Sequence, residues 1–135
     1  AVGAAAALAT LRYLEEHNLV AMAAARGEYL GRRLREALAD VPCVGDVRGL
    51  GLMWGIEFVA DRATKAPFPP ELHFSQRVCD RAFELGAIFY PGTGCADGVA
   101  GDHLMVSPPF VITEAQIDEA VDILRQAILD VERIG

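Results

Sequence analysis

Residues 41–61 read VPCVGDVRGLGLMWGIEFVAD, and within this stretch the chain changes its period. From Leu52 onward, Leu52, Trp54, Ile56 and Phe58 fall on one side of an extended backbone, and Met53, Gly55, Glu57 and Val59 on the other. A period of two is the signature of a strand, and this one carries a large aromatic into the core. Pro42 disfavours the helical state at Val41, so a preceding helix must stop before it. Gly49 and Gly51 predict a bulge or a close approach of backbone. They do not predict a phosphate-binding loop, because R-G-L-G-L lacks the GxGxxG spacing and leads into a strand rather than a helix.

Upstream the pattern is helical. Residues 2–16 are dense in Ala and place Ala4, Leu8, Leu11 and Leu14 near helical spacing. His17-Asn18 interrupts, and Asn18 offers a cap for a second helix. The apolar face of that helix is read as Met22, Ala25, Tyr29, Leu30, Leu34, Ala37 and Leu38. Downstream, residues 61–70 form a charged, proline-rich loop, and 71–85 a helix that turns Leu72, Gln76, Cys79, Ala82 and Phe83 to one side. Gly86 is placed to end it in a left-handed turn. A short strand is expected at 87–90, a glycine-rich loop at 91–101 and a further strand at 103–106, with Leu104 and Val106 opposite His103 and Met105. Pro108 and Pro109 end that strand. Thr113 and Gln116 form a capping box for a final helix that buries Ile117, Ala120, Val121, Leu124, Ala127, Ile128 and Val131. Three strands and several helices predict a two-layer α+β fold with helices packed on a short, mainly antiparallel sheet. The order of the strands is not legible.

The chain has 135 residues, 53% of them apolar, and a formal charge of -7. It can bury a core, and its acidity argues against binding a phosphate backbone. Arg26, Arg32, Arg33 and Arg35 are interleaved with Glu28, Glu36 and Asp40 and read as a solvated helix face. Cys43, Cys79 and Cys95 are odd in number and contain no CxxC, which fits a reducing, cytoplasmic setting. The opening AVGAAAALATL is too short for a bilayer and has no leader pattern or initiating Met, so a processed or truncated start is expected.

No stretch assembles a catalytic constellation. Ser107 and His103 are the least poor hydroxyl–imidazole pair, yet four residues along a strand hold them about 13 Å apart, at ~3.3 Å per residue. Cys79 reads as a buried thiol. Asp97, Asp102 and His103 match no metal spacing and are given surface and turn roles, so no metal is expected. The pairs Glu15/Glu16, Glu114/Asp118 and Asp118/Asp122 lie on helices as solvated charge. Glu57, inside an apolar strand, either faces solvent or accepts a bond in a site or interface. Lys65 is the only lysine; in its proline-rich loop it reads as a solvated amine rather than a Schiff-base lysine.

Taken together, AVGAAAALATLRYLEEHNLV (1–20), VGDVRGLGLMWGIEFVAD (44–61) and GDHLMVSPPFVITEAQIDE (101–119) resemble the C-terminal, small-domain portion of class III pyridoxal-phosphate-dependent aminotransferases of fold type I. The resemblance implies an interdomain linking region at residues 1–30 and the small domain at 31–135. The large domain, which binds pyridoxal 5'-phosphate, would lie upstream. Its phosphate loop, the Asp at the pyridine nitrogen and the cofactor-bonding lysine precede this region in the family, so catalytic and cofactor-binding residues are expected to be none in this chain. Lys65 does not match the family lysine. The resemblance also implies a homodimer, an amine or amino-acid donor and a keto-acid acceptor, and a fragment inactive alone. One departure concerns the donor. Family members that grip an α-carboxylate often carry Arg where Met105 stands here, before the paired prolines, and a thioether cannot clamp a carboxylate. Either another Arg serves, or the donor is an amine or ω-amino acid. Arg48 either contributes a charge near the cleft or is salt-linked to a surface carboxylate, and Met105 equally reads as ordinary strand packing. The alternatives are an isomerase or decarboxylase of the same fold, and a noncatalytic interaction domain using the first and final helices.

Overall fold

The computed structural model describes residues 1–134. Two helices open the chain, α1 (Val2–Glu16) and α2 (Leu19–Leu38). They are separated by Asn18 in a left-handed conformation, φ 51°. Asn18 occupies the cap position as expected, but its side chain makes no cap bond; the break comes from the backbone. A hairpin follows, β1 (Val44–Leu50) and β2 (Met53–Phe58), then a 3₁₀ turn (Pro70–Leu72) and α3 (Phe74–Glu84). Strands β3 (Tyr90–Gly92) and β4 (Asp102–Val106) precede the long α4 (Glu114–Ile134).

The sheet is antiparallel throughout, in the order β1-β2-β4-β3. The fold is therefore α+β with helices on a small sheet, as the sequence predicts. β1 was not among the predicted strands. Only Val44 and Gly45 are buried at its start and the rest is largely exposed, so it carries no alternation to read. The strand expected at 87–90 begins only at Tyr90. The amides of Gly86 and Ala87 turn back onto Phe83 and Ala82 and close the end of α3, with Gly86 at φ 104° as expected. α3 starts at Phe74 after a left-handed His73, which sets its phase: Phe74, Ser75, Val78, Cys79 and Ala82 are buried, while Phe83 is exposed.

One sheet face carries the core. Trp54, Ile56, Phe58, Leu104 and Val106 alternate inward and meet Leu30, Leu34 and Leu38 of α2, Val78 of α3, and Ile117, Leu124 and Ile128 of α4. Burying each such side chain contributes about 1.5–3 kcal/mol. The approach of α2 to the hairpin depends on two glycines. A Cβ on Gly27 would lie 2.2 Å from the Gly51 oxygen, and one on Gly31 2.1 Å from the Trp54 ring. Trp54 donates to the Gly51 carbonyl at 2.8 Å, and the Arg35 guanidinium stands over its ring at 4.6 Å. Of the two roles expected for Gly49 and Gly51 it is the close approach that holds, since a Cβ on Gly49 would lie 2.4 Å from the Met53 oxygen. The bulge itself falls at Gly45, where the register shifts between Val44 and Asp46.

The helices are tied to each other at their rims. Arg33 donates to Asp118 at 2.6 Å, Tyr29 donates to the same carboxylate at 3.0 Å, and Arg81 donates to Asp130 at 2.8 Å. α4 opens on the predicted capping box, with the Gln116 amide donating to Thr113 Oγ1 and the Thr113 amide to Gln116 Oε1. α1 buries none of its residues and leaves Val2, Leu8, Leu11 and Tyr13 exposed. Among the described residues no helix is long and apolar enough to cross a membrane.

Candidate substrate-side face

Alternation along β2 and β4 sends Met53, Gly55, Glu57, His103 and Met105 to the sheet face opposite the core. Arg48 of β1 pairs with Gly55 and so shares that face, whose residues are exposed or half-buried. Both substrate-side candidates, Met105 and Arg48, therefore stand on one surface. Gly55 of β2 lies between them, pairing with Arg48 on one side and Met105 on the other.

Arg48 is not a free cation. Its Nη1 donates to Asp46 at 2.7 Å and to Glu57 at 2.8 Å. Glu57 thus accepts a bond rather than simply facing solvent, with its side chain 29% exposed. The hydrogen bond from Arg48 holds the Asp46 carboxyl below its ordinary range, and the bonds to Glu57 and then Asp46 raise the guanidinium. Asp46 and Glu57 share the Arg48 guanidinium, and the Lys65 ammonium also acts on Asp46, so Arg48 carries no unmatched charge for a substrate carboxylate unless one acid yields.

Met105 is half-buried, and its Cα partner across β3 is Tyr90. Together with Ile88, Pro108, Ile112 and Gln116 they border a groove of about 500 Å³ at the β3 edge. The walls are mainly apolar, with Glu119 of α4 the one charged lining residue, so the groove offers dispersion contacts and no cation to clamp a carboxylate.

The remaining predicted groups are separated or occupied. β4 is extended between His103 and Ser107, and no hydrogen bond joins them. Asp97 accepts from the amides of Val99 and Ala100 and closes a turn, as expected. Asp102 corrects the surface reading. It is 2% exposed and accepts from both the amide and the hydroxyl of Ser75. The reason is that α3 has no side-chain cap of its own, so its open amides are met from β4. Ser75 was missed, and the signal was available: no Ser, Thr, Asp or Asn precedes Phe74 where a cap should stand. Burial pushes the Cys43 thiol up to about 12 and the Cys79 thiol to about 11, which leaves both protonated and poor as nucleophiles.

Pyridoxal phosphate needs an amine to bond, a carboxylate at its ring nitrogen and a phosphate cradle. The described residues do not fit it. Lys65 donates to the Gly45 carbonyl across a surface loop, and Asp102 is committed to α3.

The chain belongs to the class III aminotransferases: the family model for aminotransferase class-III matches residues 1–128. It is 43% identical over 127 residues to an uncharacterized aminotransferase of Schizosaccharomyces pombe, covering 94% of this chain and 28% of that protein. It is 37% identical over 126 residues to an alanine/serine racemase of Pyrococcus horikoshii, covering 93% of this chain and 24% of the racemase. Among solved structures, the PMP-bound form of an aminotransferase from Vibrio fluvialis superposes with a TM-score of 0.75 at 32% identity, over 87% of this chain and 24% of that one. The chain thus spans about a quarter of the length of the proteins it matches.

Proposed function

We propose that these residues are the small domain of a pyridoxal-phosphate-dependent aminotransferase that moves an amino group from an amine or amino acid to a keto acid. Residues 1–30 link to a larger cofactor-binding domain, and 31–135 form the small domain, with the division falling inside the continuous α2. The observation that carries this reading is the family match over nearly the whole chain, which spans about a quarter of its relatives. The PMP-bound relative supports the cofactor, since PMP is the aminated form that transamination leaves.

On this reading the open sheet face looks toward the substrate. Met105 offers packing where a carboxylate clamp would need Arg, and Arg48 is already neutralised, so donors without an α-carboxylate, including ω-amino acids, are favoured. The exposed apolar residues of α1 support contact with the large domain and a homodimer. Three free cysteines support a cytoplasmic setting. A fragment without the large domain has no turnover.

A second reading is favoured by one observation, the likeness to an alanine/serine racemase, which keeps the fold and changes the proton chemistry. The full-length gene product, loaded with pyridoxal phosphate, separates the two. Transamination gives a keto acid or aldehyde from the donor in stoichiometry with the new amino acid. Loss of optical rotation from an L-amino acid with no acceptor consumed would establish racemisation instead.

A further inference from the structure

The loop of residues 93–101 leaves β3 at Gly92 and enters β4 at Asp102, and both ends meet at one residue of α3. The Ser75 hydroxyl stands 2.7 Å from Asp102 Oδ1 and 3.2 Å from the Gly92 carbonyl oxygen, and the Ser75 amide donates to the same Asp102 oxygen at 2.9 Å. Ser75 and Asp102 are 0% and 2% exposed. A carboxylate so buried, with its contacts at a helix N-terminus, is held by amide dipole and hydroxyl together. Between its fixed ends the loop is bonded to itself, from Cys95 to Gly101, Ala96 to Ala100 and Gly98 to Gly94 along the backbone. It is therefore a small self-bonded unit whose two ends meet at Ser75. It flanks the open sheet face, because Gly92, where it begins, packs on the ring of His103, which pairs with Glu57 on that face. Packing sets the ends as well: a Cβ at Gly92 would lie 2.3 Å from the His103 ring.

We infer that Asp102, acting through Ser75, is a positioning residue for the reaction: it holds the 93–101 loop and the β3 edge, with Tyr90 opposite Met105, in register over the substrate-side face. The inference rests on the proposed reading that this face meets the substrate. Releasing the anchor frees the loop while leaving the reacting groups, which lie outside the chain on that reading, in place. Binding of the donor should suffer and the chemical step should not.

The test uses the full-length holoenzyme with Asp102→Ala, Asp102→Asn and Ser75→Ala. Two readouts are taken: the rate of Cys95 alkylation, mapped by peptide mass spectrometry, and the KM and kcat for the amine donor. Cys95 is exposed on the loop, whereas Cys43 and Cys79 are buried and report general unfolding. For Asp102→Ala the expected result is alkylation of Cys95 faster by about tenfold with Cys43 and Cys79 still protected, and donor KM higher by about tenfold with kcat within about twofold. Asp102→Asn keeps an oxygen acceptor for Ser75 and should recover much of both changes. Ser75→Ala removes the hydroxyl but leaves the amide bond, and serves if Asp102→Ala does not fold. Unchanged Cys95 reactivity in the variants that fold would overturn the anchor itself. Faster alkylation with an unchanged KM would instead overturn the substrate-side assignment of the face, and with it the positioning role.

Discussion

Arg48 donates through one nitrogen, Nη1, to Glu57 at 2.8 Å and to Asp46 at 2.7 Å, so the one arginine on the open sheet face is shared by two acids. Removing an acid should free it. In the full-length enzyme, Glu57→Gln is expected to lower the KM for the keto-acid acceptor by about threefold and Arg48→Ala to raise it by a similar factor, through one charge-assisted contact near solvent. The side chains are 61% and 29% exposed, so thermal stability should change little in either variant. Equal acceptor KM in all three proteins would remove Arg48 from the substrate side.

Met105 and Tyr90 pair across β4 and β3 at the mouth of the apolar groove. Met105→Arg places a guanidinium where the donor's carboxylate would need one. The kcat/KM ratio for an α-amino acid over the matching simple amine should rise by about tenfold or more, since a hydrogen bond to a charged group contributes about 1.5–3 kcal/mol. Steady-state kinetics on the two donors measure this, and an unchanged ratio would mean that position 105 does not reach the substrate.

Gly27 and Gly31 admit α2 to the hairpin, and no side chain fits at either. Gly31→Ala drives a methyl into the Trp54 ring and is expected to cost about 1–3 kcal/mol through displaced packing. Chemical denaturation followed by Trp54 fluorescence would show it, because Trp54 is the only tryptophan of these residues. Gly3→Ala, where a Cβ meets nothing within 4 Å, is the control and should not destabilise.

Asp118 is held below its ordinary value of 3.8, chiefly by the hydrogen bond from Arg33, which outweighs the opposing effect of burial and is joined by a lesser bond from Tyr29. A carboxylate with a lowered folded-state pKa binds fewer protons folded than unfolded. Its contribution is complete above the ordinary value and is lost as pH falls through the folded value. Denaturation midpoints should therefore be insensitive to this pair between pH 7 and about pH 5 and fall below about pH 4. Asp118→Asn should lie below the parent at neutral pH and show a shallower acid decline; identical acid profiles would show that the Arg33–Asp118 bond does not couple to folding.

What the sequence made legible follows from where physical constraints are local. The alternation of Leu52 to Phe58, the capping box at Thr113 and the helical face of α4 each depend on residues a few positions apart, and each stands in the structure as read. β1 escaped notice because an edge strand exposed along most of its length has no inward–outward rhythm. The Ser75–Asp102 bond escaped because it joins residues 27 apart, and the buried acid looks in sequence like any other loop aspartate. The site was only partly visible for the same reason. The position of Met105 came from the paired prolines, whereas the neutralisation of Arg48 required strand register to bring Glu57 within reach.

The most direct measurement is borohydride reduction of the full-length gene product in the presence of pyridoxal phosphate, followed by peptide mapping. The account predicts one reduced phosphopyridoxyl group on a lysine outside these 135 residues, with Lys65 unmodified. A stoichiometric adduct on Lys65, or a fully folded protein that carries no adduct and transfers no amino group, would contradict it.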